Sequence, residues 1–189
     1  MWAMSVDAVG PRITVAEYRR MAASGALDPD QRVELIDGEV VQMSPIGDRH
    51  AFVVNRLNRL FVPTLLDDAV VSVQNPVKLN DLNELQPDIS LLRPGSEKYL
   101  SGTPVPPDVL LLVEVSDTTA RKDRTVKRPL YAAAGIAEVW IIDLGPGIIE
   151  VATGPSPEGY RSIRQVGRDG TVSPLAFPDV VISVADIVP

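Results

Sequence analysis

Cysteine does not occur among the 189 residues, and histidine occurs once, as His50. Disulfides, a thiol nucleophile and a Cys/His zinc cage are thereby excluded. Any bound metal would be held mainly by oxygen donors, which favours Mg²⁺ or Mn²⁺. Aromatic residues are only 5% of the chain, so a core has to rest on Val, Leu, Ile and Ala. No apolar run approaches the roughly 18 to 20 residues of a membrane span. The start, Met1 to Asp7, lacks the basic and apolar regions of a secretory signal. With the absence of cysteine, which fits a reducing compartment, the expectation is a cytoplasmic protein without membrane contact. Net charge is −7, which argues against a broadly basic nucleic-acid coat. A polyanion would have to be met by a local patch.

What the chain does contain is apolar runs punctuated by 17 prolines. Its length suits a single domain, read here as residues 13–189 after a loose N-terminus, 1–12. Thr14 and Glu17 have capping-box spacing, predicting a helix to about Ser24-Gly25. Arg32 to Met43 reads as two strands about Asp37-Gly38, a pair suited to a type I′ turn. Val53, Val54, Leu57, Leu60 and Phe61 form one stripe of a longer helix, which Pro63 should end or kink. Val70 to Val73, Val77 to Leu79 and Asp88 to Leu92 are short strand candidates. Val109 to Val115 is apolar without alternation, as in a strand buried on both faces at the centre of an α/β sheet. A basic helix follows to about Ala134, with a kink or restart at Pro129. Glu138 to Asp143 and Ile148 to Ala152 read as a hairpin, and short strands and turns follow through Val180 to Ile182. The class is mixed α/β (α+β).

Asp88 and Glu114 each stand at the edge of one of these apolar runs, where a carboxylate is costly unless paired or metal-bound. If the two are side by side, a divalent cation would offset their repulsion and could polarise a phosphoryl oxygen. Lys127, in the basic segment Arg121 to Arg128, could orient water or stabilise developing negative charge. Such a set suits phosphodiester hydrolysis. Each residue has a plainer reading: Asp88 as a turn cap, Glu114 in a structural ion pair, Lys127 as a solvated helix lysine, Glu34 facing water or Arg32. Asp123 reads most simply as a helix-dipole partner. A Ser/His/Asp hydrolase would need His50 with Ser44 or Ser116, but neither serine lies in a Gly-x-Ser-x-Gly elbow.

Val33 to Val40, Met43-Ser44-Pro45 and His50, then Gln86-Pro87-Asp88, Val113-Glu114-Val115-Ser116, Asp123 with Lys127 and Tyr131, and Gly135 to Asp143 occur in order. This ordered set resembles the Uma2 (DUF820) family of restriction-endonuclease-like proteins over about Thr14 to Ala152. The resemblance implies the PD-(D/E)XK fold: a mixed, four-stranded core sheet flanked by helices, here with additional β-hairpins, and a metal site at one end of the sheet. It implies Asp88 and Glu114 as ligands of Mg²⁺ or Mn²⁺, the backbone carbonyl of Val115 as a further ligand, and Glu34 as a supporting acid. Ser116 departs from the pattern, standing where a lysine is usual, and Lys127 matches a substitute lysine from the following helix. A helix starting near Arg121 carries Lys127 about 9 Å along its axis, so its reach depends on how that helix packs across the sheet.

The expected activity is therefore metal-dependent hydrolysis of DNA, an endonuclease, with His50, Arg121, Lys122, Arg124 and Arg128 as candidate phosphate contacts. Two other readings stand beside it: a catalytically inactive nuclease-fold binding or scaffold protein, and a hydrolase of small phosphate esters. Ile148 to Ala152 is a candidate for pairing subunits in a homodimer.

Overall fold

The computed structural model describes residues 12–28 and 30–189, so the expected loose N-terminus lies almost wholly outside the described residues. Thr14 caps helix α1 (Val15–Ala23) with the reciprocal bonds of a capping box, as its spacing predicts. Strands β1 (Val33–Ile36) and β2 (Glu39–Gln42) form the expected hairpin. Asp37 and Gly38 both take positive φ, 49° and 77°, which is what a type I′ turn requires. Helix α2 (Asp48–Leu65) buries Val53, Val54, Leu57, Phe61 and Leu65. Pro63 neither ends it nor falls outside it. The proline sits in the last turn, where its missing N–H deprives a single carbonyl and the helix stops two residues later.

The chain then builds β3 (Val70–Val73), β4 (Val77–Asn80), β5 (Asn83–Leu85), β6 (Ile89–Leu92) and β7 (Val109–Ser116). The short β5 carries no alternating signal and went unread in the sequence. It is held between β4 and β1 in a four-stranded sheet, β2-β1-β5-β4. After β7 come α3 (Ala120–Lys122), a wide π-helical turn (Asp123–Lys127) and α4 (Arg128–Ala133). Pro129 stands in the first turn of α4, where it forfeits no needed donor. Gly135, at φ 78°, ends the helix.

Strands β8 (Glu138–Asp143), β9 (Ile148–Ser156) and β10 (Gly159–Val166) complete the main sheet, and β11 (Thr171–Val172) pairs with β12 (Ile182–Ser183). The main sheet has six strands, β10-β9-β8-β7-β6-β3, rather than four. Its β7–β8 pair is parallel and the others antiparallel. The eight-residue β10 was read only as short strands and turns, because its polar stretch from Arg161 to Gln165 faces solvent. It also corrects the reading of Ile148 to Ala152 as a subunit-pairing strand. With β8 on one side and β10 on the other, β9 has no free edge.

β7 is central and buried on both faces, as its unbroken apolarity predicts. Leu111, Val113 and Val115 pack with α2 and the C-terminal segment in one core, while Leu112 packs with Tyr131 of α4, Ile36 and Leu85 in another. Strand alternation therefore sends Glu114, in phase with Leu112, toward α4 and the small sheet. The architecture is three layers: α2, the six-stranded sheet, and α4 with the four-stranded sheet.

Candidate functional site

Ile89 pairs with Val113 in antiparallel register. One step further along, Asp88 falls opposite Glu114, so the two acids are neighbours at the same end of the sheet. Asp88 is fixed from three sides. Its Oδ2 accepts a 2.8 Å hydrogen bond from the Val115 N–H and lies 3.0 Å from His50 Nε2, while Oδ1 accepts from Gln74 Nε2 at 3.1 Å. A strand residue's N–H and C=O lie on the same edge, so the Val115 carbonyl also projects toward the Asp88 side.

Glu114 is buried beneath the helix that follows it. Tyr131 donates its hydroxyl to Glu114 Oε1, and Lys127 Nζ stands 3.2 and 3.3 Å from the two carboxylate oxygens. The same ammonium lies 2.8 Å from Glu34 Oε1, brought in by β1 of the small sheet. Lys127 thus bridges two buried carboxylates, and the question of its reach is answered by the packing of the helix across β7. The π turn contributes to this placement, with the Arg128 N–H bonding back to the Asp123 carbonyl, five residues earlier. Glu34 Oε1 also accepts from the Gln86 N–H at 3.0 Å.

Burial pushes the Glu114 carboxyl well above its usual range, reinforced by the charges of Asp123, Asp88 and Glu34 and opposed by Lys127. Burial would lower the Lys127 ammonium, but the carboxylates of Glu114, Glu34 and Asp123 outweigh it and hold the amine above its ordinary value. Lys127 is accordingly a fixed positive charge. At Asp88 burial acts upward, yet hydrogen bonds from His50, Val115 and Gln74 prevail and hold the carboxyl below its usual range. Two neighbouring acids are thereby pushed in opposite directions.

The basic segment does not act as one patch. Lys122 lines the cleft with its Nζ 3.6 Å from Glu34 Oε2. Arg124 instead bonds Asp143 and Glu150, and Arg128 bonds Glu150 at 2.9 Å. These two arginines tie the helix to β8 and β9, away from the cleft. Arg121 is exposed and outside the cleft lining. Asp123, read as a dipole partner, is buried and accepts from Ser116 Oγ at 2.7 Å and Thr119 Oγ1 at 2.8 Å. Ser116 therefore fills the usual lysine position with a hydroxyl committed to Asp123, and His50 is committed to Asp88. No serine–histidine pair forms among the described contacts. Tyr131, Gln74 and Arg32 were not read as site residues. Tyr131 stood inside the motif with Lys127, four residues earlier on a helix, which was its only sequence signal.

The cleft is about 220 Å³, and its described lining includes Glu34, Asp88, Glu114, Asp117 and Asp123 with Arg32, Lys122 and Lys127. Acidic side chains outnumber lysine and arginine side chains on this lining, five to three. Among the described residues no three His, Asp or Glu side chains form a ready cation cage. Glu34 Oε2 is nonetheless buried without a hydrogen-bond donor. Oxygen donors, an excess of acidic over basic side chains and an unsatisfied carboxylate oxygen fit a divalent cation of the Mg²⁺ type, which retains several waters.

No curated protein matches the chain. Among solved structures it is similar to one described as a putative nuclease belonging to DUF820 from Anabaena variabilis ATCC 29413. The TM-score is 0.72 at 16% identity, covering 93% of this chain and 97% of the other. At that identity the likeness establishes the fold. No helix among the described residues is long and apolar enough to cross a membrane. The Uma2 family model, described as "Putative restriction endonuclease", matches residues 15–185, and the chain belongs to that family.

Proposed function

We propose that the protein is a divalent-metal-dependent phosphodiesterase acting on DNA, with Asp88, Glu114 and the Val115 carbonyl as the metal-holding group. The observation that carries this reading is the adjacency of Asp88 and Glu114 at one sheet end, with Lys127 fixed beside them. A bound Mg²⁺ or Mn²⁺ supplies neutralisation of the clustered carboxylates and polarisation of a phosphoryl oxygen. The chain's own groups do the rest. His50, Val115 N–H and Gln74 keep Asp88 ionised and aimed. Tyr131 and Lys127 orient Glu114. The Lys127 ammonium, positioned by Glu34, stabilises negative charge as water attacks phosphorus and the bridging P–O bond breaks.

The test is cleavage of single-stranded, double-stranded and branched DNA with Mg²⁺ or Mn²⁺, alongside calorimetric titration of the metal. Asp88→Ala and Glu114→Ala are each expected to abolish cleavage and weaken metal binding. Unchanged cleavage in both variants would refute the assignment. One observation favours a second reading, a nuclease-fold binding protein without catalysis. Lys127 already pairs with Glu34 and Glu114, so part of the charge of these two acids is offset without a metal ion. Absence of any Mg²⁺ or Mn²⁺ heat in the wild type would favour that reading.

A further inference from the structure

Four basic side chains other than Lys127 meet at or near the cleft, and they differ in what they already hold. His50 is taken by Asp88, and Arg49 by Asp117 and the Leu144 carbonyl. Arg32 is not so engaged, and Lys122 holds only a long ion pair with Glu34. The Arg32 side chain donates to no acceptor among the described residues, and its Nη2 is sealed from solvent without a partner. Lys122 has a carboxylate oxygen at 3.6 Å, beyond hydrogen-bond reach. Both line the same cleft as Asp88 and Glu114.

Arg32 immediately precedes β1 and lies two residues from Glu34, so strand alternation puts both side chains on one face. A guanidinium with an unmet, desolvated donor is unfavourable in the empty fold. Nη2 alone of the guanidinium nitrogens is sealed in this way, and the group lines the cleft, where a tetrahedral oxyanion can accept from its other N–H groups. We propose that Arg32 and Lys122 form an anion subsite on the wall of the cleft, which takes a phosphate group of the substrate. The subsite rests on the phosphodiesterase reading for its biological ligand, but not for its existence. It also supplies local positive charge to a chain of net −7, from a residue outside the basic segment.

The experiment uses the full chain in chelator, without metal or DNA, and inorganic phosphate as the probe. Wild type is expected to bind phosphate by calorimetry and to gain thermal stability with it. Arg32→Met should weaken that binding roughly ten- to hundredfold, the value of a charge-assisted bond. Arg32→Lys and Lys122→Met should fall between these limits. Mg²⁺ affinity should be undiminished in Arg32→Met and reduced in Glu114→Gln, which separates this subsite from the metal site. Failure of cleavage with phosphate binding intact would overturn the activity and leave the subsite standing. No phosphate binding by wild type, or equal binding by Arg32→Met, would overturn the subsite. Loss of the phosphate response confined to a destabilised Arg32→Met, with Arg32→Lys and Lys122→Met both stable and binding phosphate as wild type does, would overturn the subsite and make Arg32 a structural partner of Glu34.

Discussion

At the scale of single residues, the site is a balance of buried charges, and Lys127 holds most of it. Replacing it with methionine leaves Glu34 and Glu114 buried without their common cation. Breaking such a pair costs about 3–5 kcal/mol, so Lys127→Met should lose that much in urea denaturation, and Lys127→Met/Glu114→Gln should recover part of it. A second prediction concerns acid. Burial raises Asp108, but Lys98 and the Val105 N–H outweigh it and hold the carboxyl below its usual range, as partners do for Asp88. A depressed carboxyl stabilises the fold fully above its unfolded value and loses that contribution as pH falls through the folded one. Stability should therefore decline below about pH 4, and Asp108→Asn should flatten the decline measured by urea titration at successive pH values. Asp88 and Glu114 were legible in the sequence because an acid within an apolar run has few inexpensive explanations. Arg32 was not, since an arginine before a polar hairpin looks solvated until its surroundings are known.

Elements decide which of the basic residues can face a substrate. Glu150 of β9 is buried and receives Arg124, Arg128 and Gln165. It acts at a distance, clamping the helix that presents Lys127. Glu150→Ala should destabilise by about 1–3 kcal/mol, the penalty of leaving charged partners unsatisfied, as read by thermal or urea unfolding. It should also reduce cleavage without altering any cleft-lining residue. Capping-box spacing made α1 readable, a helical stripe α2, and apolar runs β6, β7 and β8. β5 and β10 escaped because three residues carry no period and because a sheet edge facing water resembles a loop. The division of the basic segment was illegible for a related reason. A wide turn shifts the helical phase, and nothing in Asp123 to Lys127 announces it.

For the molecule as a whole, the sheet has two free margins, β3 and β10. The homodimer expected from the sequence has to be built there or on another surface, since β9 is enclosed. Light scattering decides between a dimer and a monomer, and pairing through β10 would be sensitive to Ile163→Lys, a half-exposed position on that margin. DNA binding should weaken with salt. Two phosphate contacts, from Arg32 and Lys122, correspond to a slope near −2 in log affinity against log salt. A flat response would remove the electrostatic basis for a DNA ligand.

The π turn between α3 and α4 is also a one-residue surplus in the chain. Deleting Thr125, whose hydroxyl reaches only the Arg121 carbonyl, would restore the ordinary helical count and rotate one flank against the other by about 100°. Lys127 and Tyr131 lie beyond the deletion and would stay in phase with each other over Glu114, whereas Asp123 would swing away from Ser116 and Thr119. The surplus residue therefore works as a shim. It lets the amine and the Asp123 anchor be set independently, on one short helix that a regular winding would force to choose between them.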